Sequence, residues 1–145
     1  MLVALLLAFG AGVLLPVQAG INADLGRVLG SSLGAALASF LIGTVGLAVG
    51  LLLHGAGASS SHAWARSEWW QWSGGLLGAL YVVATIVLAP RLGAATLIAT
   101  VVAGQMLASL VLDQYGLVGF PLHPATWPRL LGAALVMGGV ILIRR

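Results

Sequence analysis

Two sets of polar side chains recur at four-residue spacing inside otherwise apolar runs: Gln18 with Asn22, and Gln105 with Ser109 and Asp113. On a helix that spacing places each set along one face. A third run carries Tyr81 near its middle and Thr85 one turn later. Amides offer donors and an acceptor together, and hydroxyls do the same on a smaller scale. The chemistry such a set can do is hydrogen bonding to a solute. Gln18, Asn22, Tyr81, Gln105, Ser109 and Asp113 are therefore the candidate substrate-binding residues. Asp113, at the end of the stripe that Gln105 and Ser109 begin, is the titratable candidate. The competing reading is structural, because buried Gln, Ser and Thr also hold helices together, at about 0.6–2 kcal/mol per interhelical bond.

Other chemistries fail on the same inspection. No Asp, Glu, Arg or His stands at the centre of an apolar run, where a charge would mark an ion or proton site. His54, His62 and His123 lack ligand-like spacing, and there is no cysteine. No Ser-His-acid set, phosphate cradle or metal motif is present. Neither an enzyme nor a cofactor is expected.

The medium follows from composition. Of 145 residues, 61% are hydrophobic and 6% charged, and mean hydropathy is +1.12. Soluble domains carry about 25% charged residues, so the lipid bilayer is the expected surrounding. The net charge of +3 rests on six Arg against three acids, scattered without a basic patch. Nucleic acid is not an expected partner.

Five runs approach the roughly 20 residues that a membrane helix needs: about Leu2–Ile21, Ser31–Leu53, Trp70–Ala89, Ala94–Leu112 and Leu130–Ile143, the last able to start earlier at Trp127 and Pro128. The expectation is a single all-α domain over 1–145, with five transmembrane helices. Connections are Asn22–Gly30, His54–Trp69, Pro90–Gly93 and Asp113–Trp127. In the first, Asn22 and Asp24 read as an exit loop, while Pro16 and Gln18 should face protein rather than lipid. In the third, Pro90 stops a helix and Gly93 permits the reversal. Small residues at Ala35, Ser39 and Gly43, then Gly46 and Gly50, and at Gly74 and Gly78, form seams for close helix approach. Val17-Gln18-Ala19 also resembles a signal-peptidase site, but no Arg or Lys precedes Leu2 and four runs follow. A weak echo between Val28-Leu29-Gly30-Ser31 and Arg91-Leu92-Gly93-Ala94 suggests two similar hairpins.

Five spans put the termini on opposite sides. The N-terminal side carries Arg66 and Arg129, and the other carries Arg27, Arg91, Arg144 and Arg145. Four against two is a small bias under the positive-inside rule. Trp64, Trp69, Trp70, Trp72, Trp127 and Tyr115 all fall on the N-terminal side. Membrane proteins usually carry aromatic belts at both interfaces. An antiparallel homodimer would belt both, so a second inverted copy is the expected partner; simple anchoring of loop ends is the alternative.

Taken together, Gln18-Ala19-Gly20-Ile21-Asn22, Leu29-Gly30-Ser31, Ala89-Pro90-Arg91-Leu92-Gly93-Ala94-Ala95-Thr96, Val101-Val102-Ala103-Gly104-Gln105 and Asp113-Gln114-Tyr115-Gly116 are specific. Over nearly its whole length the chain resembles the YdcZ-like inner-membrane exporters of the drug/metabolite transporter superfamily. The resemblance implies a bacterial plasma membrane, five helices per chain and two opposed chains forming a ten-helix body. It carries no substrate with it. The related small multidrug exporters place a Glu in their first helix, and this chain has no acid in its first run as bounded above. The expected function is an exporter of a small neutral or amphiphilic compound working by alternating access. A dual-topology channel and a non-transporting membrane scaffold are the alternatives.

Overall fold

The computed structural model describes residues 1–53 and 67–143. All regular structure among them is helical: α1 (Leu2–Leu29), α2 (Ser32–Leu53), α3 (Ser73–Leu92), α4 (Ala94–Tyr115) and α5 (Trp127–Ile143), with 3-10 turns at Trp69–Trp72 and Leu117–Gly119. Helices α1 to α4 are long and apolar enough to cross a membrane, α3 counted with the 3-10 turn before it, whereas α5 has 17 residues. At 1.5 Å per residue α5 reaches about 26 Å, slightly less than a hydrocarbon core of about 30 Å. The chain forms two compact units, Met1–Pro90 and Arg91–Arg145. His54, His62, Trp64, Arg66, Arg144 and Arg145 lie outside the described residues.

The first helix corrects the expected exit loop. It runs 28 residues, through Asn22 and Asp24, and leaves only Gly30 and Ser31 between α1 and α2. Three local features keep the chain helical past the apolar run. Asp24 Oδ1 accepts from Arg27 at 2.6 Å, one turn along. Arg27 sits in the last turn, where a cation suits the helix dipole. Gly26 is buried, and its missing Cβ admits Ile86 of α3. The helix stops at Gly30, which takes the left-handed conformation (φ 62°) and donates to Arg27 O, while Ser31 N–H donates to Gly26 O. Ser31 then caps α2, its Oγ accepting from Gly34 N–H at 3.0 Å.

The third helix corrects the expected stop at Pro90. Pro90 lies inside α3, which ends at Leu92. A proline forfeits one backbone hydrogen bond; this close to the end only a single donor is lost, and Gly93 (φ 74°) makes the break instead. The fourth helix runs to Tyr115, three residues past the expected end, and Gly116 (φ 60°) terminates it by donating to Leu112 O.

In the first unit, buried positions on α1 (Ala19, Asn22, Ala23, Gly26) are small and share one face. They sit with Ala35 and Ala36 of α2 and Val82, Thr85 and Ile86 of α3. Ala35, Ala36, Val82 and Ile86 form the cluster that closes this end of the hairpin, with Leu25, Tyr81 and Val83 packed on it. Away from the turn, cover is lost: residues 2–14 of α1 and 40–49 of α2 are exposed throughout. The expected small-residue seams are used only in part. Ala35 is buried and Gly78 meets the Phe40 ring, but Gly43, Gly46 and Gly74 have no neighbour within 4 Å of a Cβ position among the described residues.

In the second unit, α4 and α5 pair with Leu97, Ala103 and Ala133 buried. Their connection is tied down by side chains. Arg129 ion-pairs with Asp113 and donates to His123 O at 2.6 Å. His123 N–H donates to Asp113 O at 2.8 Å, and Ala125 N–H to Gln114 Oε1 at 2.7 Å.

Candidate functional site

The long first helix changes where its polar residues lie. A 28-residue helix spans about 42 Å, against roughly 30 Å of hydrocarbon. Counted from Leu2, Gln18 is about 24 Å along and Asn22 one turn further, about 30 Å. On a hydrocarbon core that began at Leu2, Asn22 would stand at the far edge and Gln18 inside it. Asp24 and Arg27 follow in the overhanging turn, exposed and paired with each other.

Gln18 and Asn22 face α3 across a crevice lined by Leu15, Gln18, Ala19, Asn22, Tyr81, Val82 and Thr85. Its polar lining is two i, i+4 pairs: Gln18 and Asn22 on α1, Tyr81 and Thr85 on α3. The three candidate residues of this unit, Gln18, Asn22 and Tyr81, thus come together. Thr85 is the addition; its place one turn after Tyr81 was the available signal. The crevice is closed to a water molecule.

Burial decides what these groups can do. Asn22 is 5% exposed and Thr85 4%. Thr85 Oγ1 donates to Val82 O of its own helix at 2.8 Å, so its proton is used and its lone pairs remain as acceptors. Among the described residues, no hydrogen bond reaches the side-chain amides of Gln18 or Asn22 or the Tyr81 hydroxyl. Gln18 is exposed in the chain rather than packed against protein, and no buried side-chain nitrogen or oxygen among the described residues lacks a partner, so the unpaired Asn22 amide atoms keep contact with solvent through the residue's 5% exposure. Helix-binding polar glue would show its bonds; here the amides face a crevice with their hydrogen-bonding capacity unused.

Gln18 also borders a second space. A groove of about 220 Å³ between α1 and α2 is lined by Gln18, Ser39, Phe40, Gly43, Thr44 and Leu47. It lies where the two helices lose their mutual cover. Thr44 Oγ1 donates to Phe40 O at 2.8 Å, so its hydroxyl proton is also held within its helix. Neither space has a charged residue in its lining.

Gln105, Ser109 and Asp113 share a face of α4 in the other unit. Gln105 is exposed. Ser109 Oγ donates to Met106 O at 3.0 Å, and Asp113 is engaged by Arg129. The carboxylate singled out as titratable thus has a local partner and anchors the connection between α4 and α5. Pro16 is half-buried, one turn before the crevice's Ala19.

Comparison with known proteins agrees with this membrane architecture. Residues 3–142 match the family described as "Putative inner membrane exporter, YdcZ". The chain is 35% identical over 144 residues to the inner membrane protein YdcZ of Escherichia coli (strain K12), covering 97% of this chain and 95% of that protein. No solved structure matches.

Proposed function

This chain belongs to the family described as "Putative inner membrane exporter, YdcZ", and from that membership we propose that it moves a small uncharged or amphiphilic compound across the membrane by alternating access. It is a multi-pass inner membrane protein. The observation that carries the reading is the crevice where the Asn22 side chain, without a protein hydrogen bond, stands beside Gln18, Tyr81 and Thr85 on a helix of membrane-spanning length. An amide with no protein partner keeps its donors and acceptor for a solute. We assign Gln18, Asn22 and Tyr81 to substrate binding, with Thr85 as an acceptor. Gln105 and Ser109 remain candidates on their own unit, and Asp113 is chiefly an anchor for the α4–α5 connection.

The working form is an antiparallel homodimer in which all five helices of each chain cross the membrane. Two features support it. A groove of about 220 Å³ is smaller than the roughly 300–1,000 Å³ of a site for a drug-sized ligand, so one chain supplies part of a site. Exposed Trp69, Trp70, Trp72 and Trp127 would belt only one interface in a lone chain. In an inverted pair, alternating access is an exchange of roles between equivalent copies.

The test is a C-terminal reporter together with flux. Solutes that raise thermal stability would be loaded into proteoliposomes and their counterflow measured. Reporter signal on both sides of the membrane and flux lost in Asn22→Leu support the proposal. A single orientation would remove the antiparallel pair, and undiminished flux in Asn22→Leu would remove the site.

A further inference from the structure

We propose that the α1–α2 groove and the Asn22 crevice are the tail and head subsites of one binding site, which takes an uncharged amphiphile directly from the bilayer; this rests on the transporter reading above. Gln18 is the joint. It borders both spaces, one closed and polar, the other open and mostly apolar. The groove walls are Phe40, Gly43 and Leu47, and all three are exposed in the chain. They lie on a helix of membrane-spanning length, so a molecule dissolved among lipid tails meets the groove without passing through water.

Size and charge set the class of ligand. A cavity of about 150 Å³ lined by apolar side chains holds a benzene. A groove of about 220 Å³ accommodates a slightly larger ring or a short alkyl segment. The head must be neutral, because no charged side chain lines either space and Asp24 is already paired with Arg27. It must also both donate and accept. Gln18 and Asn22 present amide donors and acceptors, whereas Thr85 offers only acceptor capacity after bonding Val82 O. A primary amide or a hydroxyl meets those requirements; a quaternary ammonium or a carboxylate does not. The crevice is closed without a ligand, so the head enters by parting α1 from α3 at Tyr81, where the wall is only half-buried.

The test uses photoreactive octyl probes in proteoliposomes, bearing a diazirine in the tail and a carboxamide, hydroxyl, trimethylammonium or carboxylate head. Labelled peptides are identified by mass spectrometry. The carboxamide and hydroxyl probes are expected to label α2 around Phe40–Leu47 about tenfold more than the charged probes, the scale of one buried polar contact made or missed. Gly43→Leu should abolish that labelling; its Cβ meets nothing within 4 Å, so the new side chain starts from open space in the groove wall. Leu47→Trp is a second filler should Gly43→Leu fold poorly. Gln18→Leu should lower labelling by the carboxamide and hydroxyl probes, because it removes one of the two amides offered to the head.

Equal labelling by all four heads, or labelling indifferent to Gly43→Leu and Leu47→Trp, overturns the proposal. So does an unlabelled groove in which Gly43→Cys chains cross-link to each other, which would assign the groove to a second copy. Labelling is read without flux, so the two readings fail separately. Head-independent labelling with flux that needs Asn22 sinks only the bilayer route. Selective labelling with no flux of any solute sinks only the transporter.

Discussion

Replacing Asn22 by Leu separates a binding group from a structural one, because the two roles predict opposite signs. Leu shares the Cγ branching of Asn and is larger, so the exchange leaves no void, and any overpacking in this 5%-exposed site works against a gain in stability. If the Asn22 amide has no protein partner, the wild-type fold bears part of the cost of about 1–3 kcal/mol for burying such a group, and Leu removes that part. If the amide instead glues helices, its loss should cost about 0.6 kcal/mol on average and up to about 1.7. The readings therefore differ by roughly 2 kcal/mol, about a thirtyfold change in the folded-to-unfolded ratio. Equilibrium unfolding in mixed micelles resolves that, with flux or ligand-induced stabilisation measured on the same preparation. We expect Asn22→Leu to be as stable as wild type or more so, by up to about 2 kcal/mol, and to lose substrate binding. A variant destabilised by 1 kcal/mol or more that still transports would refute the reasoning, because it would show an amide that serves the fold and not the solute.

Gly26→Ala should destabilise the first unit. The new Cβ would stand 2.9 Å from Ile86 Cγ2, and Ile86 is 3% exposed and stiff at χ1, so an overpacking cost of about 1–3 kcal/mol outweighs a helix-propensity gain of about 1. Denaturant unfolding reads the balance, and the double variant Gly26→Ala/Ile86→Ala, which lacks that Cγ2, should lose less than the sum of the two single changes. Arg129→Ala should cost about 1–2 kcal/mol, between surface and buried ion pairs, because the pair is partly exposed (34% and 23%). It should also raise protease cleavage between residues 116 and 126 while leaving ligand binding unchanged. Gly30→Ala forces a side chain into the left-handed region at φ 62° and should cost about 1–2 kcal/mol in the same unfolding assay.

The membrane class, the helical secondary structure and the approximate spans were all legible along the chain, since each depends on composition or run length rather than on contacts. The ends of the helices were not. The polar stretch from Asn22 to Arg27 looks like departure from the bilayer. It stays helical because Asp24 and Arg27 pair within one turn and because Gly26 receives Ile86 from more than fifty residues away. Pro90 looked like a stop, but one missing donor so near a terminus is less decisive than the backbone freedom of Gly93. Four-residue spacing correctly put Gln18 beside Asn22 and Gln105 in line with Asp113. Spacing could not say which stripe had its hydrogen bonds satisfied.

That last distinction marks the division for the whole molecule. Sequence by itself determined the solvent, the helices and the list of polar groups carried into lipid, because hydropathy and periodicity are properties of neighbours along the chain. Tertiary structure decided which of those groups are used. Asp113 is taken by Arg129, sixteen residues away, and Thr85 by its own helix, while Asn22 is brought against Tyr81 and left with its amide unpaired. Whether a buried polar atom has a partner depends on distances across elements, and no pattern along a single helix contains them.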